Sequence, residues 1–309
     1  MDNDRRGWLT FFGIVHIGIG LVCLLLLFGT AVGAEMIAKR PGTPQPNIAQ
    51  SLLFDALATF YFVAIGVGSI RARRWARDLA LAVSAVWLIA GVIACAVSFI
   101  VFPHILVIIP PSQEHAVVTM MSISLVLTMI LLPLAFTLFY RMRSVRSTCE
   151  SHDPKPRWTE RAPVPVLALA LTLALGALMM IVNLNARAYF LFGMMLTGAT
   201  ASIAIVALAV LFAVIAVQLF RLRESAWWVL VLLHLVAATG MVMAFTRGVD
   251  VNGYYDRIGQ MTPQIRAMHL ETLTSDPKLW AIIVVGWLAY LAFLVWLRRY
   301  FVTRRAAFI

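Results

Sequence analysis

Eight long apolar runs constrain this chain more than anything else in it. They cover residues 8–33, 51–70, 78–101, 116–140, 163–183, 194–219, 227–245 and 279–297. A helix rises 1.5 Å per residue, so about 20 residues cross a hydrocarbon core about 30 Å thick. Each run meets that length or comes close to it. Hydrophobic residues make up 62% of the chain and charged ones 13%, where soluble domains carry about 45–50% and about 25%. Too little polar surface exists to cover a water-soluble globule. In hydrocarbon a spanning backbone has to satisfy its own hydrogen bonds, and helices do so alone. The expected fold is therefore all-α, a polytopic transmembrane helical bundle of eight spans.

Charge sets the expected direction. Lys and Arg outnumber Asp and Glu by 25 to 14, and eighteen of the 25 basic residues fall at 5–6, 71–77, 141–161, 221–223 and 298–305. The alternate loops hold the other seven. Basic loops stay cytoplasmic, so both termini are expected inside, with Trp8, Trp75, Tyr140, Trp227, Trp228 and Trp296 at the inner boundary. The clusters sit at the ends of apolar runs, where they meet the lipid bilayer and its anionic headgroups. No soluble basic face remains for nucleic acid. Eight spans without a hydrophilic domain fit a bacterial cytoplasmic membrane. Arg5 and Arg6, the first run and Ala31-Val32-Gly33-Ala34 together look like a secretory signal. The run is longer than such signals carry, and it has a partner in the repeat below, so it is read as a retained helix.

The two halves share their punctuation. Ile70-Arg71-Ala72-Arg73 leads to Ala76, and Phe220-Arg221-Leu222-Arg223 leads to Ala226 at the same spacing. Leu134-Ala135-Phe136 closes the fourth run and Leu291-Ala292-Phe293 the eighth. Four spans per half is an even number, so two tandem four-helix repeats would run in parallel. The expected division is 1–143, a polar cytoplasmic linker at 144–163 holding Pro154, Pro156 and Pro163, and 164–309. The linker's composition suits a hinge. Gly13, Gly18 and Gly20, Ala64 with Gly68, and Gly198 with Ser202 offer faces for close helix approach.

Outside, Thr262-Pro263 followed by Ile265, Met268, Leu270 and Leu273 predicts a capped amphipathic helix. Ile105–Ile109, between Pro103 and Pro110, is too short to span and reads as interfacial or re-entrant.

Few residues here carry chemistry. Ionisable groups within a span are costly and draw attention first. Asp55 lies one turn into the second run, where a helix N-terminus would stabilise its charge with Ser51 as cap; a proton or cation site is the alternative. His16 and His234 lie at similar depths in the first and seventh runs. Two histidines on facing helices could supply both axial ligands of a haem, and the bland reading is that each bonds a neighbouring helix. Repeat symmetry does not relate them, because their counterparts are near Thr172 and Ser84. His104, His115 and His269 with Met120, Met121, Met261 and Met268 lack the tight spacing of a copper site, so no metal is predicted. Cys23, Cys95 and Cys149 form no disulfide framework. Neither a P-loop, GxSxG, HExxH nor a catalytic carboxylate pair is present.

These features point to a non-catalytic accessory, scaffold or sensor component that binds other membrane subunits. The alternatives are a transporter or channel for a small solute between two bundles, and a haem-bearing redox subunit.

Overall fold

A computed structural model of the chain describes residues 4–39, 48–106, 109–257 and 261–306. It is 85% helical. The long helices are α1 (Arg6–Ala38), α2 (Ala49–Ile70), α3 (Arg74–Leu106), α4 (Pro111–Val126), which passes through a π-turn at Leu127–Leu131 into α5 (Leu132–Arg141), then α7 (Val164–Val182), α8 (Gly198–Phe220), α9 (Glu224–Arg247) and α13 (Pro277–Leu297). Short α6 (Arg143–His152) precedes α7, α10 (Val251–Arg257), α11 (Pro263–Ala267) and α12 (Leu270–Thr274) precede α13, and α14 (Arg299–Ala306) follows it. Counting α4 and α5 as one span, eight helices are long and apolar enough to cross a membrane. Large apolar side chains stand on their outer surfaces, including Phe99 at 82% and Phe60 at 74% exposure. Contiguous apolar exposure of this kind is unfavourable in water and natural in hydrocarbon.

The chain divides into two compact units, Met1–Trp87 with Leu132–Ala168, and Leu88–Leu131 with Leu169–Ile309. The boundary crosses α3 and α7 and falls where the π-turn meets α5, and so does not follow the linear halves.

The first unit is organised by the pairing of α1 with α2. A Cβ on Gly13 would lie 2.7 Å from the Gly66 carbonyl oxygen, and one on Gly66 would lie 2.6 Å from the Gly13 oxygen. The two backbones touch through each other's missing side chains, seven residues before Gly20 meets Val63 and Phe62 in the same way. Gly68 receives the Ala76 methyl. Gly13, Gly20 and Gly68 thus serve the close packing expected of them, whereas Gly18 and Gly198 face open space. Around this seam a core forms from Leu9, Ile65, Ala72, Ala76, Phe136, Phe139, Tyr140, Val145 and Cys149.

Helices α2 and α8 end in the same turn. Arg73 N–H donates to the Gly68 oxygen at 2.8 Å and Ala72 N–H to Ser69 at 2.9 Å; Arg223 N–H donates to Gln218 at 3.0 Å and Leu222 N–H to Leu219 at 2.8 Å. Both are Schellman closures. Each uses a non-glycine residue in the left-handed region, Ala72 at φ 50° and Leu222 at φ 56°, a conformation that costs such residues about 1–2 kcal/mol.

In the second unit α3 meets the π-turn at Gly91, where a Cβ would collide with the Met129 carbonyl oxygen. Pro133 follows two residues later; it cannot supply the amide hydrogen that a regular helix directs at the carbonyl four positions back, and the helix ladder takes π register just before it. The sixth apolar run begins as strand rather than helix. β1 (Ala188–Leu191) pairs antiparallel with β2 (Met194–Thr197) through Phe192 and Gly193, both with positive φ, the geometry of a two-residue I′ hairpin. This ribbon is the one departure from an all-α chain among the described residues. Its tip seats on α9, with the Phe192 ring 3.2 Å from where a Gly240 Cβ would lie.

The expected helix after Thr262 is broken. Thr262 caps α11 by accepting from Ile265 N–H at 3.2 Å, but His269 turns left-handed at φ 46° and α12 starts afresh. The run Ile105–Ile109 belongs to α3 as far as Leu106; residues 107–108 lie outside the described ones.

Candidate functional site

His16 sits one turn beyond Phe12 on α1, and the helix repeat brings its Nδ1 to 2.7 Å from the Phe12 carbonyl oxygen. A carbonyl only accepts, so Nδ1 carries the hydrogen. The ring stacks on Phe136 with centroids 4.1 Å apart, with Tyr140 and Phe62 near its edges. The residue is 1% exposed. Tyr140, fully enclosed beside it, shares a 2.8 Å hydrogen bond with Ser69 of α2. Thr137 of α5 donates to Ser84 of α3 at 3.1 Å, and Tyr61 donates to the Leu79 oxygen at 3.3 Å. Each of these hydroxyls ties one helix to another, the role polar side chains take inside a bilayer.

His234 follows the same logic in the second unit. Its Nε2 lies 3.2 Å from the Trp287 carbonyl oxygen and its ring stacks on the Trp287 indole at 3.9 Å. Two turns towards the N-terminus of α9, Trp227 donates its indole N–H to the Leu294 oxygen at 2.8 Å. Helix α9 is thus bonded twice to α13. Arg298 covers both Trp227 and Trp228, its guanidinium carbon 5.5 Å from each ring centroid. The two histidines belong to different units, and each is engaged by its own aromatic setting.

Asp55 is half-buried on α2, and no described side chain pairs with its carboxylate. Its neighbour Thr59 donates to the Asp55 backbone oxygen at 2.8 Å. Ser51 does not cap the helix; Ile48 occupies that position without a side-chain bond. His269 lies 3.6 Å from Glu271, which also accepts from Asn252 at 3.0 Å. Among the described residues no three His, Cys, Asp or Glu side chains converge as metal ligands.

The densest set of ionisable groups is one that sequence reasoning passed over, the segment after α5. Helix α6 turns Val145, Thr148 and Cys149 inward at the helical spacing, with Val145 0% and Cys149 1% exposed. The Arg5 backbone N–H donates to Thr148 Oγ1 at 3.1 Å, fastening α6 to the start of α1. Asp153, 2% exposed at its side chain, accepts from Arg157 Nε at 2.9 Å and from the Arg74 backbone N–H at 3.4 Å, with Arg73 Nη1 at 3.6 Å. Arg74 donates to Glu160 at 2.6 Å and to the Pro154 oxygen at 3.4 Å. Thr159 donates to Asp78 Oδ2 at 2.9 Å, and Arg77 donates to Oδ1 of the same carboxylate at 3.0 Å. The Arg157 hydrogen bonds hold the Asp153 carboxyl below its ordinary range, and Arg146 does the same for Glu150. Burial pushes the Cys149 thiol up to about 11. The pair Arg146/Glu150 stands four residues apart on α6, a helical spacing readable beforehand, whereas Asp153 and Arg157 pair across the irregular stretch that follows it.

Two further openings exist. One is a shallow groove along a single face of α4, lined by His115, Thr119, Ser124 and Thr128 among others. The other is a smaller hollow at Pro156–Arg161.

The class these features define is a multi-pass helical protein with eight helices suited to a membrane by length and composition. No protein-family model, curated protein or solved structure matches the chain, so its site has to be read from its own chemistry.

Proposed function

We propose that this chain is a non-catalytic component of a bacterial cytoplasmic membrane, an accessory, scaffold or sensor subunit built from two tandem four-helix repeats, with both termini cytoplasmic. One observation carries the reading: the enclosed polar groups of its spans are spent on bonds within the protein, several of them between helices. His16, Ser69, Ser84, Thr137, Tyr140 and His234 bond carbonyls or hydroxyls of the protein, and none of them lines either described opening. The duplication is supported by the two Schellman closures, which agree bond for bond at positions 150 residues apart. Partners have surface to bind. Only 6% of the most apolar stretch is buried in each of Arg74–Phe102, Ser112–Arg141, Glu224–Arg247 and Pro277–Val302, against 39% in Val164–Val182.

Purification in a mild detergent tests this directly. The expected result is a stoichiometric complex with a larger membrane protein, separable at higher detergent strength. A chain that stays monomeric and moves solutes in proteoliposomes would sink the reading. The same sample is expected to be colourless at the Soret wavelength, since His16 is enclosed at 1% exposure and His234 has its Nε2 at the Trp287 carbonyl oxygen and its ring on the indole.

The transporter reading keeps one observation in its favour. The π-turn at Leu127–Leu131 interrupts a spanning helix beside Gly91, and such interruptions recur at functional positions.

Orientation has its own test. Reporter fusions at Ser147 and Gly253 are expected to mark opposite compartments, with Ser147 cytoplasmic. A shared compartment would remove a span and with it the repeat.

A further inference from the structure

Residues 143–162 do more than connect. The segment is ordered over its length and lies back over the start of α1 and the turn that joins α2 to α3. Two kinds of contact hold it there. Underneath are Val145, Thr148 and Cys149, apolar or locally satisfied and essentially sealed. Along the edge run the ion pairs, and these are unequal. Asp153 is enclosed, while its partners Arg73 and Arg157 are 40% and 36% exposed at their side chains; Arg74 reaches Glu160 with the two at 16% and 27%.

A ten-residue helix is marginal without tertiary support. Here that support is apolar beneath, at Val145 and Cys149, and electrostatic along the edge that follows and faces water. Half-exposed pairs are screened by salt, whereas the contacts of α1 with α2 are not. The segment therefore has a different response to ionic strength from the bundle beneath it.

We propose that residues 143–162 form an ionic latch, pinned at Asp153 and closed over the α2–α3 turn, which opens as ionic strength rises while the helices it covers stay folded. Opening would uncover Cys149 and free Arg73, Arg74 and Arg77 for other contacts. Acid is not the trigger. The charged groups around Asp153 and the latch are Arg73, Arg74, Arg77 and Asp78 from the turn and α3, Arg146 and Glu150 from α6, and Arg157 and Glu160 beyond it. With its carboxyl held below the ordinary range, Asp153 contributes docking that is present near neutrality and lost only as pH falls through that depressed value.

Cys149 supplies a built-in reporter. In a Cys23→Ser, Cys95→Ser chain reconstituted in phosphatidylcholine nanodiscs, it is the one remaining thiol. Labelling by an uncharged maleimide is expected to be slow at low salt and about tenfold faster at 1 M KCl, where the Debye length falls to about 3 Å. Asp153→Asn is expected to label about a hundredfold faster than the parent at low salt and to lose most of the salt response, because removing one partner of an enclosed ion pair releases the rest. Arg74→Glu is expected to label fast, and adding Glu160→Arg is expected to restore protection. Helical circular dichroism should be unchanged throughout. Salt-independent labelling of the parent, or failure of the swapped pair to restore protection, would overturn the latch. Should Asp153→Asn not fold, the swap and the salt series still decide.

Discussion

Gly66→Ala is expected to lower the unfolding midpoint sharply, and Gly91→Ala to do so at least as strongly. The added methyl at 66 would lie 2.6 Å from the Gly13 carbonyl oxygen, and at 91 it would collide with that of Met129. Neither neighbour is a side chain that can swing away; each is backbone within a helix. Overpacking in a well-filled core costs about 1–3 kcal/mol and occasionally more. These two sites belong at or above the top of that range, about 3 kcal/mol, because a whole helix has to translate. Helix association in hydrocarbon rests on close packing rather than on water release, so the lost contact is not replaced. Gly18→Ala is the matched control. Nothing lies within 4 Å of its Cβ position, and alanine favours helix over glycine by about 1 kcal/mol, so that variant should be neutral or slightly more stable. Thermal unfolding in detergent, followed by circular dichroism, reads all three. Equal midpoints for Gly18→Ala and Gly66→Ala would show that the backbones do not meet there.

Gly66 was absent from the residues that sequence singled out for close approach, and the reason is instructive. A glycine within an apolar run has many neighbours of similar size, and which one faces a partner depends on the rotation of two helices about their axes. The eight spans themselves were legible because the criterion for them is local: length and apolarity, without reference to a partner. The shared turn was legible for a similar reason. Arg-x-Arg after an apolar run marks a helix end whatever it packs against, and both copies close in the same way.

The departures follow the same division. Met194–Thr197 is as apolar as the helix that follows, so hydropathy carries no boundary between them. The signal was Gly193 between two short aromatic and aliphatic runs, a hairpin cue that membrane-length windows average away. Pro133 marked an irregularity in the fourth span, but which way the ladder would yield depended on Gly91 opposite. His269 breaks the outer helix through a backbone angle that no side-chain pattern announces. At 144–163 prolines and charges read as a polar linker; within it the apolar positions 145 and 149, four apart, mark the inward face of α6. Of the site residues, His16 lies within the long apolar helix α1, while its partner, the Phe12 carbonyl of its own helix, and its neighbour, an aromatic ring from α5, were not visible along the chain.

Asp78→Ala is expected to be the most damaging change on the charged side of the first unit. The carboxylate is 8% exposed and Arg77 beside it 14%. Thr159 at 2.9 Å and Arg77 at 3.0 Å both donate to it. Truncation would leave an arginine charge largely enclosed without its counter-ion and a buried hydroxyl without its acceptor. Breaking an enclosed pair from one side costs about 3–5 kcal/mol. One nitrogen of that guanidinium, Nε, already lacks a partner among the described residues, so little slack remains to absorb the loss. Thr159→Val removes only a neutral donor and should cost about 1 kcal/mol. The informative variant is the double one. Arg77→Met with Asp78→Leu withdraws both charges, and replacement of an enclosed pair by apolar groups of similar volume is often neutral or better. If the damage in Asp78→Ala comes from an abandoned charge, the double variant melts well above the single one. If instead the carboxylate matters as the anchor of Thr159, the double variant melts no higher than Asp78→Ala. The order of those two midpoints therefore decides whether charge balance or the hydrogen bond holds the α3 end of the segment in place.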